Sequence, residues 1–204
     1  MHDYSIDKHP KEKVLFFLAL IAITAAPIIK ELAEYLVSLL EVSTGWSSSP
    51  VVAVPVFGLF AGLYFLFDRY LWKISWLRKV LLVPDLNGKW SCDGHTNLKN
   101  AEPADYDWNA TVSITQSWSK ILIHLNTSHS ESKSISASIY HEAGVGYRLL
   151  YQYNSKPNVN ELDLNIHSGS VELLFTEVTA SASGSYYTDR HRTTVGTMNL
   201  KREK

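Results

Sequence analysis

The chain has 204 residues, 19 Lys and Arg against 20 Asp and Glu, a formal net charge of −1 and one cysteine. A single cysteine forms no intrachain disulfide and no Cys-based zinc cluster, and the balanced charge lacks the basic surplus that long DNA or RNA selects. The average conceals a division: the first 84 residues are apolar, whereas from Asp85 onward the chain is rich in Ser and Thr, with eleven Lys and Arg against thirteen Asp and Glu.

Residues 1–13, MHDYSIDKHPKEK, are polar and bring Lys8, Lys11 and Lys13 up to an apolar run from Val14 to Ile29. A signal peptide would end in a small-residue cleavage site. This run instead continues through Lys30 and Glu31 into ELAEYLVSLLEV, where Leu32, Leu36, Leu39 and Leu40 keep helical spacing. The pattern predicts a retained helix, with Lys30 reaching up to the headgroups and a kink at Pro27. Beyond the connection GWSSSP lies Pro50 to Phe67, PVVAVPVFGLFAGLYFLF, eighteen residues without a charge. As a helix they span about 27 Å, against roughly 30 Å for the hydrocarbon core of a bilayer.

Flanking charge sets the expected orientation. Three lysines precede the first span, Arg69, Lys73, Arg78 and Lys79 follow the second, and the connection carries Lys30 alone. By the positive-inside rule both ends lie in the cytoplasm and the tip of a helical hairpin lies outside. Trp46, Tyr64, Tyr70, Trp72 and Trp76 suit an interfacial belt. Gly58 and Gly62 in GLFAG have the spacing that lets membrane helices approach closely, either the first helix at Ala19, Ala22 or Ala26, or another copy of the chain. Residues 68–83, DRYLWKISWLRKVLLV, read as an amphipathic continuation at the inner leaflet that Pro84 stops.

From Asp85 the period changes from 3.6 to 2. Candidate strands run from Gly88 to Asp93, Trp108 to Gln116, Lys120 to Thr127, Ser134 to His141, Tyr147 to Asn154, Glu161 to His167, Gly169 to Glu177, Gly184 to Asp189 and Thr193 to Lys201. Ala110, Val112 and Ile114 oppose Thr111, Ser113 and Thr115, and Leu162, Leu164 and Ile166 oppose Asp163, Asn165 and His167. One apolar and one polar face per strand, joined by short turns, predicts an antiparallel meander of about eight strands. Closure or near-closure into a β-barrel removes its edges, and a sandwich is the alternative. Residues 161–177 read either as two strands or as one strand bent at Gly169. The expected organisation is a transmembrane part with its juxtamembrane segment, 1–84, and an all-β ligand-sensing domain, 85–204.

Several motifs then occur in a familiar order: Leu86-Asn-Gly88-Lys-Trp90, Tyr151-Gln-Tyr-Asn154 with Pro157, His167-Ser-Gly169, Gly184-Ser-Tyr186-Tyr187-Thr188-Asp189-Arg190 and Thr194-Val-Gly196-Thr-Met-Asn-Leu200. With two membrane helices in front, the chain resembles the SMODS-associated two-transmembrane, β-strand-rich effectors of CBASS, a bacterial antiphage system, over nearly its whole length. The resemblance implies a cyclic dinucleotide partner made by a cognate nucleotidyltransferase and bound by the barrel. It further implies a homo-oligomer formed on activation, disruption of the bacterial inner membrane, and death of the infected cell before phage mature.

A cyclic dinucleotide offers two phosphates and two base faces, so its pocket needs cationic or amide donors and aromatic platforms. Arg190 and Arg192 beside Tyr186, Tyr187 and Thr188 supply these, as do Tyr151, Tyr153 and Asn154. Strand alternation sets Tyr186, Thr188 and Arg190 on one face and Tyr187 on the other. Each also has a plainer role: the arginines as solvated charge at a turn, Tyr147, Leu149, Tyr151 and Tyr153 as a packed stripe, and His167 as a turn residue or a ligand contact. No phosphate loop, nucleophile elbow, kinase set or metal triad is legible, so the expectation is a non-enzyme with no cofactor and no metal. A membrane-tethered barrel for a lipid or apolar ligand, and a non-enzymatic scaffold, are the competing readings.

Overall fold

A long run of good helix formers without glycine builds α1, Lys11–Thr44, which stays helical through Pro27. This is seen in a computed structural model, which describes residues 1–7, 10–44, 56–97, 105–161, 165–189 and 194–203. At 34 residues α1 is about 51 Å long, and its segment Lys11–Leu39 is apolar enough to cross a bilayer. Its side chains are bare where a soluble helix would be polar, Phe16 being 63% and Ile28 67% exposed. The second helix, α2, is described over Val56–Arg69 and lies against α1; residues 50–55 of the predicted span lie outside the described residues. A Cβ placed on Gly62 meets nothing within 4 Å. Of the two contacts open to GLFAG, the one with α1 is therefore not made at Gly62 among the described residues.

The amphipathic segment departs from the sequence reading. It is not continuous with α2: a short 3-10 turn, Leu71–Lys73, precedes a separate helix, α3, Ser75–Leu81. Leu82, at φ 53°, ends α3 in a left-handed cap ahead of Pro84, with the Val83 N–H donating to the Arg78 carbonyl at 3.2 Å. The chain divides into two units, Pro10–Trp72 and Met1–His9 with Lys73–Lys204.

The second unit is a closed up-and-down barrel. Its strands are β3 (Gly88–Asn97), β4 (Asp105–Gln116), β5 (Lys120–Asn126), β6 (Ser130–Glu142), β7 (Gly146–Pro157), β8 (His167–Phe175), β9 (Ser181–Thr188) and β10 (Val195–Arg202). Each pairs antiparallel with the next, β10 returns to β3, and β5 meets β6 over His124–Asn126. A sandwich is thereby ruled out. The expected strand 161–167 is not formed by its described residues: β7 runs on to Pro157, and β8 begins only at His167, opposite Ser155. Ile166 is accordingly 68% exposed. Gly169 is no bend either; it sits in register between Tyr153 and Thr188.

Inward positions near the β4–β5 and β6–β7 turns are large and apolar. Trp90 and Phe175 meet edge to face at 5.2 Å, and Leu149, Leu173, Leu200, Val112 and Ile123 are buried around them. Each such side chain stabilises the fold by about 1.5–3 kcal/mol relative to exposure, and together they close this end of the barrel.

Residues 1–7, read above as a polar flank, are part of the barrel. Past their short hairpin pairing β5 and β6 diverge, and the gap takes β1 (His2–Asp3) and β2 (Ser5–Ile6). β1 pairs antiparallel with β5, His2 opposite Ile121, and β2 pairs parallel with β6, Ser5 opposite Ser138. At the fork a bulge follows Ser134 in β6. The Ser134 hydroxyl takes the place of the missing carbonyl, accepting the Ile123 N–H at 2.9 Å and bonding His2 Nε2 at 2.7 Å. Tyr4 is 4% exposed; its hydroxyl donates to the Ser117 carbonyl at 3.2 Å and accepts from Gln116 Nε2 at 3.0 Å, while Gln116 Oε1 accepts the Leu86 N–H at 2.9 Å.

Candidate functional site

At the other end of the barrel the inward positions change character. Ser132, Tyr153, Ser155, His167, Tyr186, Thr188, Thr194 and Trp108 surround a cavity of about 810 Å³, floored by Tyr151, Val171 and Met198. Its volume lies within the range of about 300–1,000 Å³ usual for small-molecule sites.

The room is made by glycine. Three aromatic side chains of the wall each lie flat over a glycine directly opposite on the neighbouring strand: Trp108 over Gly94, Tyr186 over Gly196 and Tyr153 over Gly169. A Cβ at Gly94 would stand 2.1 Å from Trp108 Cε2, one at Gly196 2.6 Å from Tyr186 Cε1, and one at Gly169 2.4 Å from the Tyr153 hydroxyl. Any side chain at these positions would push the rings into the cavity. The rings are then fixed by polar contacts. Trp108 Nε1 donates to Thr96 Oγ1 at 3.0 Å, the same Thr96 hydroxyl is hydrogen-bonded to the Tyr186 hydroxyl, and the two rings meet edge to face at 5.8 Å.

His167 stands edge-on to Tyr153 at 6.3 Å. Its Nδ1 lies 3.2 Å from the Asn165 carbonyl, which can only accept, so Nδ1 carries a proton. Deeper in, burial pushes the Tyr151 phenol well above its ordinary range, with Tyr153 and Cys92 adding to it. Burial, then Asp93, pushes the Cys92 thiol up to about 12. Both groups are therefore neutral near pH 7, Tyr151 as a phenol and Cys92 as an unreactive thiol.

The mouth is bordered by turns. His129 Nδ1 lies 2.7 Å from Glu161 Oε1, and Asn158 Nδ2 donates to the Ser128 carbonyl at 2.8 Å, so two of these turns are tied together. Across the opening, Thr188 Oγ1 accepts the Thr194 N–H at 2.8 Å and the two hydroxyls are 3.0 Å apart. The Asp189 N–H donates to the Ser168 carbonyl at 2.8 Å, and the Ser168 N–H returns to Asp189 Oδ2 at 3.0 Å. Both stems of the β9–β10 connection are thus held at the mouth. Among the described residues no Lys or Arg lines the cavity.

Of the residues singled out from sequence, Tyr151, Tyr153, His167, Tyr186 and Thr188 come together in this wall. Asn154 and Tyr187 face outward, Asn154 accepting from the Ser168 hydroxyl at 2.9 Å and Tyr187 being 57% exposed. Arg190 and Arg192 lie outside the described residues, between Asp189 and Thr194. Sequence reasoning missed Trp108, Thr96, Thr194 and the glycines Gly94 and Gly196. The alternation that puts Ala110 and Val112 inward also puts Trp108 inward, and that signal was available.

Residues 81–202 match the family model described as Cap15, cyclic dinucleotide receptor domain, and residues 12–73 match the one described as Cap15, TM helices. The chain is also 41% identical over 145 residues to the CD-NTase-associated protein 15 of Yersinia aleksiciae, an alignment covering 71% of this chain and 68% of that one.

Proposed function

The chain belongs to the Cap15 family, and on that premise we propose that it is a CBASS effector whose barrel cavity takes a cyclic dinucleotide and whose helices then assemble and breach the inner membrane. The observation that carries this reading is the wall of the cavity: four aromatic rings, three of them lying over glycine, with hydroxyls and His167 beside them. Flat rings offer platforms for two bases, at about 1–3 kcal/mol per stacked base, and the hydroxyls offer donors to ribose and phosphate. The hydroxyls, His167 and Asp107 in this lining argue against a purely apolar ligand.

Two phosphates call for cations, and the described wall supplies none. The β9–β10 connection, whose stems are Thr188–Asp189 and Thr194, carries Arg190 and Arg192, so these remain our candidates for the phosphate-binding groups. Asn154 and Tyr187, on the outer face, would serve the ligand only from a second copy or after rearrangement. The test is calorimetry with the full-length protein, solubilised with its N-terminal strand in place, against a panel of cyclic dinucleotides. Saturable one-site binding is expected, and no heat with any of them would end the reading. Arg190→Ala should weaken binding about 10- to 100-fold, the worth of a charge-assisted hydrogen bond, with unchanged melting. Unaltered affinity would remove Arg190 from the site.

For the membrane step, the bare apolar side chains of α1 and the open face of Gly62 support two helices that cross the bilayer and meet those of other copies, with the N-terminus and barrel in the cytoplasm. Gly62→Leu is expected to leave nucleotide binding intact and to reduce leakage of dye from loaded vesicles at least several-fold. Full leakage would assign the glycine no role in assembly. The oligomer must bind the nucleotide better than the monomer does if binding is to drive assembly.

A further inference from the structure

Residues 74–80 fall between the two family matches, one of which ends at 73 and the other begins at 81. They form most of α3, a helix that commits only one side to the barrel. Leu81 and, just beyond it, Val83 and Leu86 are buried, and Leu77 and Arg78 are half-buried. The other side is bare and apolar: Trp76 is 63%, Val80 69% and Ile74 42% exposed, with the exposed Lys73 and Lys79 at its margins. Trp76 and Val80 are four apart and so lie one above the other on the helix surface.

We propose that this face is a lipid-interface anchor, with Trp76 and Val80 seated at the boundary between headgroups and acyl chains and Lys73 and Lys79 against anionic headgroups. Indole rings favour that boundary because one edge is polar and the body apolar, and lysine stems can lie along it while their ammonium groups stay wet. Three apolar side chains on two turns are far too little for a protein interface, which needs about 1,000 Å² or more, yet they suffice to seat a helix that a neighbouring span already holds near the membrane. Continuity supplies that neighbour: the 3-10 turn before α3 follows directly on α2. The inference rests on the reading that α1 and α2 lie in a bilayer.

The test uses the full-length protein in phosphatidylethanolamine–phosphatidylglycerol vesicles. An environment-sensitive fluorophore is placed at Trp76→Cys, at Val80→Cys, at Val159→Cys on the mouth side, where exposure is 94%, and at Ile23→Cys in the middle of α1. The buried Cys92 serves as the unlabelled control. Labels at 76 and 80 are expected to be quenched at least twofold by lipids spin-labelled near the headgroup, the label at 23 by lipids spin-labelled deep in the chain, and the label at 159 by neither. Labels at 76 and 80 that behave like 159, with 23 still quenched, would overturn the anchor while sparing the membrane reading. A label at 23 that also escapes quenching would bring down the membrane reading and the anchor with it.

Discussion

Gly94→Val should abolish nucleotide binding and lower stability by roughly 3 kcal/mol or more. The first atom of any side chain here would stand 2.1 Å from Trp108 Cε2, far inside contact distance, and Trp108 has no easy retreat: its ring is hydrogen-bonded to Thr96 and packed on Tyr186. Overpacking a well-filled site typically costs about 1–3 kcal/mol and occasionally more, and here the ring can yield only by entering the cavity. The two measurements are a thermal melt and calorimetry. The diagnosis has its own control, because adding Trp108→Ala should restore part of the stability lost, a non-additive result confined to groups in contact. A Gly94→Val protein that melts with the wild type would show that the strand has room that the structure denies.

Removal of residues 2–7 is the second large effect. It exposes the sites now filled by Tyr4 and Ile6, at about 1.5–3 kcal/mol each, so a loss of about 3–6 kcal/mol is expected. It also strips Gln116, Ser117 and Ser134 of partners and leaves the diverging edges of β5 and β6 unpaired, the arrangement from which sheets aggregate. Hydrogen exchange should show the difference first at Ile121, whose strand partner His2 is gone, and then at Ile123, whose N–H rests on the Ser134 hydroxyl that His2 held. Equal exchange in the two proteins would mean that the N-terminal strand closes nothing. Tyr4→Phe, which removes the hydroxyl alone, should cost only about 1 kcal/mol.

What the sequence made legible follows from periodicity. Alternation found all eight barrel strands, with Tyr186 and Tyr187 on opposite faces as in the structure, because a half-buried strand must repeat every second residue. It did not find β1 and β2, since a strand of two residues holds a single period, with no repeat to detect, and His2, Asp3 and Ser5 are polar. It extended a strand across 161–167 because Leu162, Leu164 and Ile166 alternate, although the described Asn165 and Ile166 join no strand. Above all, the three glycines over which the aromatic rings lie are non-local features: Gly169 looked like a bend until Tyr153, opposite it, was seen to need its space. The arginines were placed by chemistry, and Arg190 and Arg192 stay an expectation for experiment.

The seam strand also sets a timetable. His2 and Ser134, which meet at the fork, are 132 residues apart, so at about 5–20 residues per second the first residues of the chain wait roughly 7–26 s for their partners to be synthesised. In that interval α1 and α2 have left the ribosome and are free to enter the membrane. The seam therefore closes late, across one of the longest loops the chain can form, and the barrel is complete only when β10 reaches β3. A chain that stops before Glu142 would deliver the helices without a finished receptor to govern them.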